Sequence, residues 1–191
     1  MSSEPGPGGA PPHARRALRV AISGKSGCGN TTVSRLVAAA LGLRVVNYTF
    51  KNLAADRGMT FEEVCLLAET DPQYDLEVDR RQSQLAEEGG CVLGSRLAIW
   101  LLKDSAFTVY LEASLSVRAG RIARREGKPA AHALNETETR DQRDHDRYAR
   151  LYGYDVNSYG FANLVVDAEN NDQDQVASLI VEGTRRHGAG R

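Results

Sequence analysis

The sequence predicts an α/β protein in which helices cover both faces of a five-stranded parallel sheet. Five short apolar segments alternate with amphipathic segments of helical period along the 191-residue chain. This alternation is typical of a parallel sheet with right-handed crossovers, in a three-layer α/β/α arrangement. The first apolar segment ends at a glycine-rich stretch, residues 24–31, which leads into the first helical segment. Since ligands of such sheets bind beyond the carboxyl ends of the strands, this stretch marks the expected ligand site.

The predicted strands are short apolar runs bounded by glycine or polar residues, as expected for strands buried on both faces. The first run, ALRVAIS, ends directly at the glycine-rich stretch. The strands are predicted at residues 17–23, 43–48, 91–95, 107–113 and 162–169.

The helices are predicted from apolar residues that recur at spacings of three and four. In the first helix these residues are Val33, Leu36, Val37, Ala40 and Leu41. Thr60, with Glu63 three residues later, is a candidate capping box at the start of another helix. The further helices are predicted at residues 49–58, 60–70, 72–89, 114–127, about 135–151 and 172–186.

Composition limits the class of protein. Hydrophobic residues make up 41% and charged residues 26% of the chain, with a net charge of −1, a balance typical of a soluble globular domain. This charge gives no overall field for a nucleic-acid polymer or an anionic membrane, and no apolar run reaches the roughly 18 residues of a membrane helix. The three cysteines are odd in number and lack metal-ligand spacing, so we expect a reducing, cytoplasmic setting.

We expect one domain, residues 17–186, because 191 residues suit a single core. Residues 1–16 are rich in Pro and Gly and have no apolar core. They are expected to be a disordered extension or an over-long start, and not a secretory signal. Residues 187–191 are expected to be a frayed tail.

The glycine-rich stretch departs from the phosphate-binding pattern G-x-x-x-x-G-K-[ST] at one position. Asn30 stands where the pattern has lysine, and Thr31 follows it. Glycine permits backbone angles that let amide groups converge on phosphate oxygens, and the helix that follows adds its positive end. The Thr31 hydroxyl would bind Mg²⁺, and Thr32 would reach another phosphate oxygen. The nucleotide-phosphate cradle is predicted at Gly24, Lys25, Ser26, Gly27, Cys28, Gly29, Asn30, Thr31 and Thr32; a purely structural turn is the alternative.

Lys25 is a candidate for the missing positive charge because it lies at the second position of the same loop. The alternative is that its ammonium group points to solvent. Asn30 can donate a hydrogen bond but carries no charge.

Two clusters of basic residues occur in the second half of the chain. They contain Arg118, Arg121, Arg124, Arg125 and Lys128, and then Arg140, Arg143 and Arg147. Spacings of three, four and seven place the last three arginines on one helical face, and such forks suit phosphoryl groups. A solvated, salt-bridged helix is the alternative. Arg96 directly follows a buried strand, where a charge needs a partner, and a substrate phosphate is the expected one.

Together these segments resemble the cytidylate kinases, especially the short archaeal-type (d)CMP kinases, over about residues 18–182. The resemblance is carried by VAISGKSGCGNTTVSRLVAAALGL, YTFKNLAADRGMTFEEVCLLAETDPQYDLEVDRRQ, VLGSRLAIWLL, VYLEASLSVRAGRIARREGK and TRDQRDHDRYARLYGYDV. The opening of that family often has Thr in place of the lysine, which makes Asn30 less exceptional.

The resemblance implies a P-loop NTPase fold and the reaction ATP + (d)CMP to ADP + (d)CDP with Mg²⁺, in a monomer or homodimer. A helical monophosphate-binding region would span about residues 48–88, and an arginine-rich lid about 124–147. Lys51, which stands at the position of a family arginine, would hold the acceptor together with Arg81 and Arg96. The residues expected to close over the phosphoryl group are Arg121, Arg125, Arg140, Arg143 and Arg147. Asp144 is carried over with this arginine motif, and Thr49 and Asp79 are candidate base contacts.

The chain departs from the family at a segment that reads E-G-R-L-A-x-W in the relatives. Gly94 replaces the acidic residue and Ser95 the glycine, which puts metal handling and turnover in doubt more than nucleotide binding. Two alternatives therefore stay open: a nucleotide-binding regulatory protein with weak or no turnover, and a kinase for another small acceptor such as UMP.

Overall fold

A computed structural model describes residues 18–189 of the chain. The extension predicted for residues 1–16 and the last two residues of the predicted tail lie outside this part. The strands form one parallel sheet in the order β2–β3–β1–β4–β5. Their bounds are β1 Arg19–Gly24, β2 Arg44–Val46, β3 Cys91–Gly94, β4 Phe107–Glu112 and β5 Leu164–Asp167.

Eight helices connect and follow these strands within residues 18–189. They are α1 Asn30–Leu41, α2 Phe50–Arg57, α3 Phe61–Ala68, α4 Gln73–Glu87, α5 Ala98–Leu101, α6 Leu115–Glu126, α7 Ala130–Tyr152 and α8 Gln173–Ala189. The predicted capping box is confirmed at α3, where the Thr60 amide donates to Glu63 at 2.7 Å and the Glu63 amide donates to the Thr60 hydroxyl at 3.2 Å.

The side chains of β1 divide the core between the two faces of the sheet, since successive residues of a strand point in opposite directions. Val20 and Ile22 pack in a buried cluster with residues of α1 and α8, including Ile180. Ala21 belongs to the cluster on the other face, which contains Trp100. The predicted three-layer α/β/α fold with a five-stranded parallel sheet is confirmed.

A third apolar cluster supports the segment that follows β2. Tyr48, Leu53, Val64 and Val78 are buried there, so α2, α3 and α4 form a small helical unit beside the sheet. This unit lies within the region predicted to bind a monophosphate.

Three elements differ from their predictions. The short helix α5 was not predicted, because an apolar run such as LAIWLL reads equally as the continuation of a buried strand. Helix α7 starts at Ala130, five residues before the prediction, directly after Pro129, whose fixed φ suits a helix start. Helix α8 continues to Ala189, beyond the predicted start of the tail.

None of the helices described for residues 18–189 is long and apolar enough to cross a membrane.

Candidate active site

A cleft of about 850 Å³ opens at the carboxyl ends of the central strands, where a parallel sheet is expected to bind its ligand. One wall is the glycine loop from Lys25 to Thr32, and the opposite wall is formed by α2 and α4. Helices α6 and α7 contribute arginines to the cleft. The volume is within the range of ligand sites in proteins.

The glycine loop presents an uncapped helix end to the cleft. Gly29 is the N-cap of α1, and no side chain caps this end. The first amide groups of α1 are therefore free to donate to an anion, and the helix dipole favours negative charge there. Thr31 and Thr32 are exposed in the first turn of α1, so their hydroxyls are available to the same ligand. The donor set fits the phosphates of a nucleotide.

The Asn30 side chain bonds back to the start of the glycine loop and does not extend along the loop as a lysine would. Its side-chain amide donates to the Gly24 carbonyl at 2.7 Å, while its buried Oδ1 atom has no hydrogen-bond partner in the described residues. The substitution thus replaces a mobile cation by a neutral group that ties the two ends of the loop together. Lys25 lines the cleft and is half-buried.

Arg118 anchors the loop from outside, a role that the sequence did not indicate. This side chain is 3% exposed and donates to the Ser26 carbonyl at 3.0 Å and to Asp141 at 2.7 Å. A Cβ atom at Gly27 would lie 2.7 Å from the Arg118 carbonyl oxygen, and Gly27 has a φ of 88°. Only glycine lets the loop pack this closely against the start of α6.

Two of the predicted cations are held by carboxylates. Arg96 donates to Asp144 at 2.5 Å, and Arg147 bridges Asp144 at 3.0 Å and Asp75 at 3.1 Å. The pKa values of Asp75 and Asp144 are raised, mainly by burial. This chain of ion pairs connects the end of β3 to α7 and α4. Asp144 was carried over from the family motif, whereas Asp75 was not predicted.

The other predicted arginines of α6 and α7 divide between the cleft and its surroundings. Arg121 donates to the Ala168 carbonyl at 2.6 Å, and both Arg121 and Arg125 line the cleft. The Arg140 guanidinium lies 3.5 Å from the Ser26 hydroxyl. Arg143 is exposed in a second groove, between α7 and the α3–α4 segment.

Three further predicted acceptor contacts differ in where they lie relative to the cleft. Lys51 is exposed, with its ammonium 5.6 Å from the centre of the Phe61 ring, and Arg81 is exposed on α4. Neither is among the residues that line the cleft, because each projects from the outer side of its helix. Thr49 lines the cleft, but its hydroxyl donates to Asn52 at 2.9 Å as part of the α2 N-cap.

Asp79 lies in the cleft and accepts a hydrogen bond from the Tyr152 hydroxyl at 2.5 Å. Burial is the main cause that raises the pKa of Asp79 to about 6. Cys28 is buried, and burial raises the pKa of its thiol to about 11. The Cys28 side chain is therefore an unreactive thiol, and only its main chain contributes to the loop.

The departure at Gly94 has a steric reason. A Cβ atom at this position would lie 2.2 Å from the Ser34 hydroxyl oxygen, so Ser34 occupies the space that a side chain at 94 would need. Within residues 18–189, no group of three or more His, Cys, Asp or Glu side chains could hold a metal ion.

The uncapped helix after the glycine loop, facing arginines across a cleft, defines a P-loop protein with a site for phosphorylated ligands. Comparison with known proteins assigns the chain to one family within this class. A family model for the cytidylate kinase-like family matches residues 19–170. The chain belongs to this family, as its resemblance predicted.

Curated relatives and solved structures agree with this assignment. The chain is 40% identical to cytidylate kinase 2 of Borrelia garinii subsp. bavariensis over 167 residues, which cover 85% of this chain and 94% of the relative. It is 41% identical to cytidylate kinase of Aeropyrum pernix over 170 residues, covering 87% and 99%. The fold is shared with shikimate kinase from Acinetobacter baumannii in complex with shikimate, with a TM-score of 0.61 at 16% identity over 93% of this chain and 98% of that one.

We expect Arg118→Met to weaken the binding of an unreactive ATP analogue at least tenfold, because the Ser26 carbonyl would lose its anchor and the loop its shape. The same change should destabilise the fold by about 3–5 kcal/mol, since it leaves Asp141 without its buried partner. Asp141→Asn is the matched comparison, because it keeps the bond from Arg118 to Ser26. Calorimetry and urea unfolding measure the two effects, and unchanged nucleotide affinity in Arg118→Met would contradict the anchoring role.

We expect Asp79→Asn to stabilise the protein above pH 6. The folded-state pKa of Asp79, about 6, lies above its ordinary value of 3.8, so the folded protein holds this proton more tightly. The contribution of Asp79 to the free energy of unfolding is therefore largest below about pH 4 and declines as the pH rises through 6. An asparagine can still accept the Tyr152 bond, and the gain at pH 7.5 should be roughly 1–3 kcal/mol.

Urea unfolding at a series of pH values measures this difference between the parent and Asp79→Asn. The exposed Asp104 provides the control, since Asp104→Asn should leave the pH dependence unchanged. A gain for Asp79→Asn that is independent of pH would show that burial of the charged carboxylate is not its cause.

Proposed function

We propose that this chain is a nucleoside monophosphate kinase that transfers the γ-phosphate of ATP to CMP or dCMP. The observation that carries the proposal is the presence of two anion-binding regions in one cleft. The free amide groups of α1 form one of them, and the guanidinium groups of Arg96 and Arg147 form the other. The names of the curated relatives, cytidylate kinases, support the choice of acceptor.

The loop would hold the ATP phosphates through its main chain. Arg118 keeps the Ser26 carbonyl turned away from the ligand, which leaves the loop amides facing the cleft. Lys25, Arg121 and Arg125 would add the positive charge that Asn30 does not supply. Thr31 would offer its hydroxyl to Mg²⁺, and the bound ion would supply positive charge to the transferring group.

Arg96 and Arg147 would hold the acceptor phosphate. In the structure their partners are Asp144 and Asp75, so the phosphate would exchange with these carboxylates or join them. The acceptor is already an anionic nucleophile and needs no general base, and catalysis would rest on positioning and on charge stabilisation. Movement of α7 toward the loop would bring Arg140 and Arg143 closer and exclude water, which competes as an acceptor.

A second candidate is a nucleotide-binding protein with little turnover. The specific observation that favours it is the hydrogen bond from Asn30 to the Gly24 carbonyl. Because of it, residue 30 brings no positive charge to the ATP phosphates. Such a protein would bind ATP but show no acceptor-dependent release of ADP.

An acceptor screen separates these functions. With ATP and Mg²⁺, we expect ADP release to depend on CMP or dCMP and to be at least tenfold slower with AMP and GMP; UMP is included because another pyrimidine acceptor is the main alternative. ATP binding by calorimetry without turnover on any monophosphate would support the second candidate. No ATP binding in either the presence or absence of CMP would overturn both.

We expect Arg96→Ala to lower kcat with CMP more than tenfold while ATP affinity is largely kept, since the guanidinium would act mainly on the acceptor and its bond to the Ser26 hydroxyl of the loop is long, at 3.5 Å. Lys103→Ala, an exposed change just after α5, is the control for the general effect of losing a cation. Equal kcat values for Arg96→Ala and the parent would remove Arg96 from the acceptor site.

A further inference from the structure

Gln82 places an unpartnered acceptor in the wall of the cleft. The residue lies on α4 and is 6% exposed, and it lines the cleft together with Val78 and Asp79. Its Oε1 atom is buried and has no hydrogen-bond partner in the described residues. Buried polar atoms in native proteins are nearly always paired, so an exception in a ligand cleft points to a partner that arrives with the ligand.

The other end of the Gln82 amide fixes its orientation. Its Nε2 atom donates to the Tyr48 carbonyl at 2.8 Å. A carbonyl oxygen can only accept, so a rotated amide would set two oxygens against each other and lose this bond. Tyr48 is itself buried, and its hydroxyl donates to Asp56 at 2.6 Å. The part of this cleft-lining side chain that has no partner is therefore an acceptor and not a donor.

Asp79 adds a second hydrogen-bond acceptor near Gln82. It lies three residues before Gln82 on the same face of α4, and its carboxylate also lines the cleft. Tyr152 donates to one of its oxygens. Two acceptor-bearing side chains thus lie one helical turn apart on α4, and the apolar Val78 lines the same cleft.

Resting on the proposed kinase function, we infer that Gln82 Oε1 accepts a hydrogen bond from the exocyclic amino group of the acceptor's base and makes the site prefer cytosine to uracil. Cytosine presents an amino donor at the position where uracil, like thymine, presents the O4 acceptor. Uracil would leave Oε1 buried, unpaired and facing another oxygen, which disfavours it by at least tenfold. Gln82 is then a determinant of specificity and takes no part in phosphoryl transfer.

The test compares kcat/KM for CMP, UMP and N4,N4-dimethyl-CMP, whose amino group has no hydrogen to donate. We expect the parent to prefer CMP to each of the others by at least tenfold. Gln82→Met, which keeps the side-chain length and removes the acceptor, should reduce the CMP preference at least tenfold, mainly through a higher KM for CMP. The KM for ATP should not change. Gln84→Met, an exposed change on the same helix, should keep the parent's preference.

An unchanged CMP-to-UMP ratio in folded Gln82→Met overturns the inference. If a lowered Tm shows that Gln82→Met is unstable, Gln82→Asn replaces it in the test. The asparagine side chain is shorter by one methylene, so its oxygen lies farther from the base, and the CMP-to-UMP ratio of kcat/KM should again fall. An active parent that uses CMP and UMP equally overturns the inference alone. A parent that phosphorylates no pyrimidine monophosphate overturns the proposed function, and the inference with it.

Discussion

The contact between the glycine loop and the start of α6 is the constraint on which the site depends. Arg118 reaches the Ser26 carbonyl from a buried position, and Gly27 lets the two main chains approach. With Asn30 bonded across the loop to Gly24, the loop is fixed at both of its flanks. This arrangement directs the first amide groups of α1 into the cleft without the help of a lysine, so a neutral residue at position 30 is compatible with anion binding.

The remaining charges of the cleft are balanced by carboxylates that belong to other elements. Arg96, Arg147, Asp75 and Asp144 form one connected set across β3, α4 and α7. Because these carboxylates are largely buried, their pKa values are raised, and the ion pairs contribute less net stability than their number suggests. Displacing these carboxylates completely would leave buried charges without partners, which is costly. The set also couples α4 to α7.

The fold and the position of the site could be predicted from the sequence because both rest on local patterns. The alternation of Val20, Ala21 and Ile22 between two core clusters follows from strand geometry, and the Thr60 capping box follows from two residues three positions apart. The glycine loop marked the cleft because its spacing is itself a local motif. The start of α7 was placed too late, because the prediction began with the charged segment and left out residues 130–134, which directly follow Pro129.

What only the tertiary structure decided is which polar side chains meet in the cleft. Arg118 and Arg143 both belong to basic clusters, yet one is buried against the loop and the other is exposed. Helical spacing assigns a residue to a face, but the element opposite that face is set by packing between segments far apart in the chain; Ser26 and Arg118 are 92 positions apart. For the same reason the exposed position of Lys51 and the unpaired oxygen of Gln82 became evident only in the folded chain.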